Sequence, residues 1–121
     1  EENLLNRAKQ AGNYLHEKLL ILQSRHKCLG DIRLTGLLGC IELVKNKTTK
    51  EPMAPFSATA DEMVEMKLIQ NILTENGIFT LVRWNFIFIT PPLTITEEEI
   101  DIATEAISKS LTLADEYCHQ Q

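Results

Sequence analysis

Leu4, Ala8, Ala11, Leu15, Leu19 and Leu22 recur at spacings of four and three, while Arg7, Lys9, Glu17 and Lys18 fall mostly off that line. This is the apolar stripe of an amphipathic helix, and it predicts a first helix over about residues 3–24. Gly30-Asp31 marks a turn. The run from Ile32 to Val44 then reads as β structure interrupted by Gly36, with Leu37, Ile41 and Leu43 on one parity and Cys40 and Glu42 on the other. Gly39 shares the first parity, and an isolated glycine in a strand marks a bulge or a close backbone approach. Lys45–Glu51 is polar and cationic, but without a glycine-rich cradle at a helix N-terminus it reads as a solvated turn rather than a phosphate site. Pro52 and Pro55 continue an irregular loop to Ser57.

Thr59-x-x-Glu62 is a capping box that opens a second helix, with Val64, Leu68, Ile69, Ile72 and Leu73 as its apolar face and Asn76-Gly77 as a left-handed cap. Met63 and Met66 read as core filler or interface. Two apolar, β-favouring runs follow, Ile78–Val82 and Phe86–Thr90, flanking a three-residue break at Arg83-Trp84-Asn85 that suits a tight hairpin. Pro91-Pro92 stops the second strand, because neither proline can donate to a ladder. Thr96-x-x-Glu99 is another capping box, and Ile100, Ala103, Ile107, Leu111 and Ala114 predict a last helix over about residues 97–115, with residues 117–121 frayed.

The order α-β-β-α-β-β-α implies an α+β fold: a small antiparallel sheet of about three to four strands with helices packed on one face. Ile41, Leu43, Leu68, Ile72, Ile87, Ile89, Ile107 and Leu111 are expected to be buried together. The second hairpin is apolar on both parities (Phe86 and Phe88 against Ile87 and Ile89), which fits a sheet whose other face is covered by another domain.

Composition narrows the functional classes. One domain is the expectation for 121 residues, and 44% apolar with 24% charged residues is ordinary for a water-soluble globule. A formal charge of −5 weighs against nucleic acid and against anionic membrane surfaces. No apolar run approaches the roughly 18 residues of a transmembrane helix, and no signal-peptide pattern is present. Cys28, Cys40 and Cys118 are odd in number, widely spaced and without a zinc pattern, so reduced thiols in a cytoplasmic protein are the simplest reading. His16 and His26 read as surface or capping residues rather than metal ligands. The chain opens on Glu1-Glu2-Asn3 and goes straight into helical periodicity, as a piece of a longer protein would.

No nucleophile with an adjacent base is visible, and no H-E-x-x-H, G-x-G-x-x-G or P-loop motif. The carboxylates Asp61 and Glu62, and Glu97–Glu99 with Asp101, sit at helix starts, where capping and the helix dipole account for them. Glu42, among apolar neighbours, is either a functional acid or, more commonly in such settings, a carboxylate facing solvent or paired with an arginine. Arg83 is left over by both capping and packing. Beside Trp84 at the hairpin tip it is either a plain exposed turn residue or a guanidinium fork for a carboxylate or phosphate.

Taken together, several stretches resemble the C-terminal segment of the class III (ω-) aminotransferases. They are Asn3-Leu4-Leu5, Gly30-Asp31-Ile32-Arg33, Gly36 to Lys45 followed by Thr49-Lys50-Glu51-Pro52, Asn76-Gly77-Ile78, and Pro91-Pro92-Leu93 through Asp101. The resemblance covers essentially the whole chain in order. It implies the small C-terminal domain of a pyridoxal-phosphate enzyme of the aspartate aminotransferase fold, whose cofactor is bound by a large domain upstream. The implied partners are that large domain, a second copy in a homodimer, an amino donor and a 2-oxo acid such as pyruvate. The segment alone is then expected to be inactive. The resemblance also implies a substrate-carboxylate arginine in the turn before Pro-Pro-Leu, and the matching position is Arg83. Two departures bear on this. The turn after Arg83 is the short Trp84-Asn85, and Phe88 stands where some members carry an arginine. The usual Arg-Gly-x-Gly appears as Arg33-Leu34-Thr35-Gly36. The competing expectation is a free-standing α+β ligand-binding or protein-interaction module without chemistry.

Overall fold

The first helix, α1 (Glu2–Arg25), buries Ala11, Leu15, Leu19 and Leu22, the stripe that its periodicity predicts. The computed structural model describes residues 2–78, 80–92 and 94–118. After α1 the chain forms a hairpin of β1 (Leu29–Thr35) and β2 (Leu38–Asn46), turning at Gly36-Leu37. A Cβ at Gly39 would lie 1.9 Å from the Arg33 carbonyl oxygen, so this glycine is a close approach, while the bulge falls between Leu29 and Asp31. Lys45–Glu51 is partly strand and partly turn. Asn46 Oδ1 accepts from the Thr48 and Thr49 amides at 2.9 and 3.1 Å, and Lys50 Nζ reaches back to the Gly30 carbonyl at 2.7 Å. The expected irregular loop begins instead with a short strand, β3 (Glu51–Pro52), against β2.

Thr59 and Glu62 form the reciprocal box, with Thr59 N donating to Glu62 Oε1 at 2.9 Å and Glu62 N to Thr59 Oγ1 at 3.4 Å. It closes over a single 3-10 turn (Asp61–Met63), and α2 (Val64–Glu75) starts behind it. Gly77 (φ +84°) completes the helix end, with Ile78 N donating to Leu73 O and Gly77 N to Thr74 O, the paired bonds of a Schellman cap.

The second hairpin differs from its sequence pattern. Only β4 (Val82–Arg83) enters the ladder from the first run, and β5 (Phe86–Ile89) is the second. The connection is two residues, Trp84-Asn85, so Arg83 is a strand residue paired with Phe86 and not part of the break. Phe88 N still donates to Leu81 O at 2.9 Å, and Thr80 Oγ1 to Phe88 O, which keeps the incoming segment beside β5. Phe79 and Leu93 lie outside the described residues. The Thr96–Glu99 box is complete in both directions, and α3 (Glu97–Glu116) follows.

The sheet runs β1-β2-β5-β4, all antiparallel, with β3 beside β2. Register decides which side chains share a face. Ile32, Ile41, Ile87 and Val82 make one row across the four strands. This row belongs to the core with Leu19, Leu29, Leu43, Ile69, Ile107 and Leu111, and α3 packs against both α1 and α2. Asp31, Glu42, Phe86 and Arg83 make the next row, and Arg33, Cys40 and Phe88 another. Because side chains alternate along a strand, these two rows form the outer face, away from the helices.

Four expectations about burial or order change. In α2, Leu68 and Val64 are exposed and Ile72 is half-buried, while Met66, Ile69 and Leu73 face the core. The helix carries two overlapping apolar stripes that share Ile69 and Leu73, and only one of them docks. Ile89, near the end of the pairing, is half-buried. Residues 117 and 118 are packed rather than frayed: Cys118 is buried with its thiol donating to the Lys27 carbonyl, and residues 119–121 lie outside the described residues. His26 is buried and not a surface residue, with Nδ1 2.7 Å from Asp115 Oδ2 and Nε2 2.8 Å from Ser108 Oγ, which staples the end of α1 to α3. Among the described residues no helix is long and apolar enough to cross a membrane, no His/Cys/Asp/Glu group has metal-binding geometry, and the three cysteines are free thiols.

Candidate functional site

The tip of the β4–β5 hairpin is held by Asn85. Its side chain is 4% exposed. Nδ2 donates to the Leu43 carbonyl at 2.9 Å and to Glu42 Oε2 at 3.3 Å, while Leu43 N donates to the Asn85 carbonyl at 2.8 Å. The regular β2–β5 pairing ends at Glu42 and Phe86, and Asn85 extends it by one residue with its own amide. The sequence reading passed over this residue. An asparagine in a two-residue turn, a residue type whose side-chain amide readily bonds nearby backbone, is the signal that would have found it.

Arg83 and Arg33 both belong to the outer face, and their surroundings differ. Arg33 Nε is 3.3 Å from Asp31 Oδ2, its Nη2 is 3.2 Å from Glu42 Oε1, and its guanidinium lies 5.4 Å from the Phe86 ring centre. Two carboxylates neutralise it. Glu42 thus takes the commoner of its two expected roles, a carboxylate paired with an arginine and further tied by Asn85. Arg83 is exposed and makes no ion pair among the described residues. Its guanidinium lies 5.0 Å from the Trp84 ring centre, and Phe56 stands 4.3 Å from Trp84 at an interplanar angle of 50°. A guanidinium matches a carboxylate in bidentate geometry. Asn85 fixes the turn, and the arrangement leaves the exposed Arg83 guanidinium beside Trp84 without a carboxylate among the described residues.

The other candidate groups do not converge on it. Asp101, at the start of α3, accepts from Tyr14 Oη at 2.6 Å and from Lys18 Nζ at 3.0 Å, linking α3 to α1. These hydrogen bonds hold the Asp101 carboxyl below its ordinary value and raise Tyr14 and Lys18 above theirs. Asp61, Glu62 and Glu97–Glu99 stay at their helix starts. Burial raises the Cys28 and Cys40 thiols, which leaves them protonated and poor nucleophiles at neutral pH.

Pyridoxal phosphate needs a lysine for its aldehyde, a carboxylate for its ring nitrogen and a cradle of N–H donors for its phosphate, all at one enclosed place. Lys18 is bound to Asp101, and Lys47 and Lys50 donate to the Gln23 and Gly30 carbonyls at 2.7 Å each. Lys45 shares a cleft with the carboxylates of Glu51, Asp61, Glu62 and Glu65, a lining whose negative charge opposes a phosphate, so these residues do not fit the cofactor.

The sequence profile of the family described as Aminotransferase class-III matches residues 1–111. Alanine–glyoxylate aminotransferase 2 homolog 2, mitochondrial, of Arabidopsis thaliana is 34% identical over 93% of this chain and 22% of its own. Ethanolamine-phosphate phospho-lyase homolog 1 of Caenorhabditis elegans is 37% identical over 93% of this chain and 23% of its own. Among solved structures, taurine:2-oxoglutarate aminotransferase from Bifidobacterium kashiwanohense, in complex with PLP and glutamate, superposes with a TM-score of 0.87 at 34% identity, over 96% of this chain and 25% of that one. The chain thus spans about a quarter of the length of the relatives it matches.

Proposed function

The chain belongs to the class III aminotransferase family, and from that premise we propose that it is the C-terminal small domain of a longer, homodimeric enzyme. That enzyme transfers an amino group from an amino acid or ω-amino donor to a 2-oxo acid such as pyruvate. The rest of the longer chain holds pyridoxal phosphate, which supplies the electron sink of the chemistry. The outer sheet face, with Arg83 at its end, turns toward that part of the enzyme. The proposal locates the enzyme in the cytoplasm, where three unpaired thiols stay reduced. Because one relative bears the name of a phospho-lyase, family membership by itself leaves amino transfer as part of the proposal.

The observation that carries the reading is the contrast between the two outer-face arginines. Arg33 is tied to Asp31 and Glu42, whereas Arg83 lacks an anion among the described residues and is exposed beside Trp84 at the hairpin end. In this reading Arg83 binds the carboxylate of the amino donor and of the 2-oxo acid in turn. That contact orients the substrate and, once the site is closed, excludes water from the ion pair. Truncating one partner of a buried charge pair costs about 2–4 kcal/mol, or roughly 30- to 1000-fold in kcat/KM. Arg83→Ala in the full-length enzyme should lose that much with a carboxylate donor and little with a matched amine lacking the carboxylate. Lysine should rescue only in part, since a point charge cannot reproduce the fork. Equal losses for both donors, or none, leave Arg83 an ordinary exposed strand residue.

A further inference from the structure

Trp84 occupies a costly place. As the first residue of a two-residue turn it has φ +51°, a backbone region that suits glycine or asparagine and strains a bulky side chain. Phe56, its ring partner, is 78% exposed on the loop after β3 and is followed by Ser57 at φ +58°. Turn chemistry calls for an aromatic ring at neither position, and Phe56 is not held there by burial. What the rings do is meet: Phe56 lies 4.3 Å from Trp84 at a tilt of 50°, and the Arg83 guanidinium lies 5.0 Å from Trp84. This contact joins the loop after β3 to the hairpin tip, two parts of the chain that the sheet does not connect.

Resting on the carboxylate-site reading above, the geometry points to Trp84 as a positioning residue for Arg83, with Phe56 as its buttress. The indole face takes the flat face of the guanidinium and leaves the N–H edge for the substrate carboxylate. Without the ring the arginine samples many rotamers, and only a fraction of them meets the substrate. Apparent affinity falls by that fraction. The ring acts on binding through Arg83, so its loss raises KM for carboxylate substrates and leaves kcat nearly alone.

The test uses the full-length enzyme and half-reactions with a carboxylate donor and a matched amine donor. Trp84→Ala should raise KM for the carboxylate donor by roughly 3- to 30-fold, equivalent to about 0.7–2 kcal/mol at 1.4 kcal/mol per decade, the range for a cation–π contact between exposed and desolvated sites. The amine donor should change much less. Phe56→Ala should move in the same direction by a smaller factor, and Trp84→Phe should restore most of the affinity. Trp84→Gly suits the backbone, so its thermal midpoint should match or exceed that of the parent while the carboxylate KM still rises, which separates positioning from folding. Arg83→Ala runs beside these as the reference. If it loses the carboxylate donor selectively while Trp84→Ala does not, the positioning role is wrong and the carboxylate site stands. If Arg83→Ala shows no selective loss, both fall. Equal losses for both donors in Trp84→Ala overturn the positioning role.

Discussion

Replacing Asn85 should loosen the hairpin tip by an amount that its hydrogen bonds fix. Asn85→Ala removes a buried amide that donates to the Leu43 carbonyl at 2.9 Å and to Glu42 Oε2 at 3.3 Å. The first is a neutral buried bond, worth about 0.5–1.5 kcal/mol net. The second has a charged acceptor but is long, and Glu42 keeps Arg33 at 3.2 Å, so it adds about 0.5–1 kcal/mol. Leu43 O is not orphaned, because Met53 N still donates to it at 3.0 Å, so no full desolvation penalty is added. The sum is about 1–2.5 kcal/mol. With a urea slope of about 1–3 kcal/mol per M, the denaturation midpoint of the 121-residue chain should fall by the order of 1 M at unchanged slope. Asn85→Asp should be worse than alanine at neutral pH, because it sets an acceptor against the Leu43 carbonyl and a like charge beside Glu42. Its carboxyl would ionise only at raised pH in the folded state, so acid should recover part of the loss. A change below about 0.3 kcal/mol for alanine, or an aspartate variant as stable as the alanine one, would show that Asn85 does not hold the tip.

Ile107→Ala, in the core between α3 and the sheet, should cost about 2–5 kcal/mol by the same denaturation measurement, and a change below about 0.5 kcal/mol would mean that α3 does not pack there. The Tyr14–Lys18–Asp101 cluster sets a pH window. Asp101 is held below its ordinary 3.8, so its contribution is present above that value and is lost as pH falls through the folded value. Tyr14 and Lys18 are raised, chiefly by hydrogen bonding to Asp101, so their contributions are full below their ordinary 10.0 and 10.5 and are lost as pH rises further. Asp101→Asn should flatten both the acid and the alkaline limb of the stability–pH curve relative to the parent, and an unchanged curve would remove the cluster from the account.

The long elements were legible because their signals are redundant. Leu15, Leu19 and Leu22 recur over several turns of α1, and the Thr96–Glu99 box adds a start signal to the periodicity of α3. Where two solutions satisfied one pattern, the sequence was silent. The stripe through Val64 and Leu68 and the stripe through Met66 are equally helical, and only the position of α3 selects between them. His26 meets Asp115 across 89 positions, so no local reading finds it. At the site, Arg83 stood out because capping and packing left it over. Its availability did not show in the sequence, since that depends on register: Asp31 lies two residues from Arg33 on the same strand, but Glu42 is carried to Arg33 by the pairing of β2 with β1, and no carboxylate is carried to Arg83 among the described residues. The Phe56–Trp84 contact escaped because it joins a loop to a turn 28 residues away.

The most direct test of the account is the fate of the amino group in the full-length enzyme. The purified protein, loaded with pyridoxal phosphate, is mixed with a carboxylate amino donor and no acceptor. The account predicts that each active site yields one equivalent of 2-oxo product and one of aminated cofactor, that pyruvate then restores the aldehyde form, and that Arg83→Ala slows both steps by roughly 30- to 1000-fold. Release of ammonia with the cofactor still in its aldehyde form would contradict it, since that is elimination and not amino transfer.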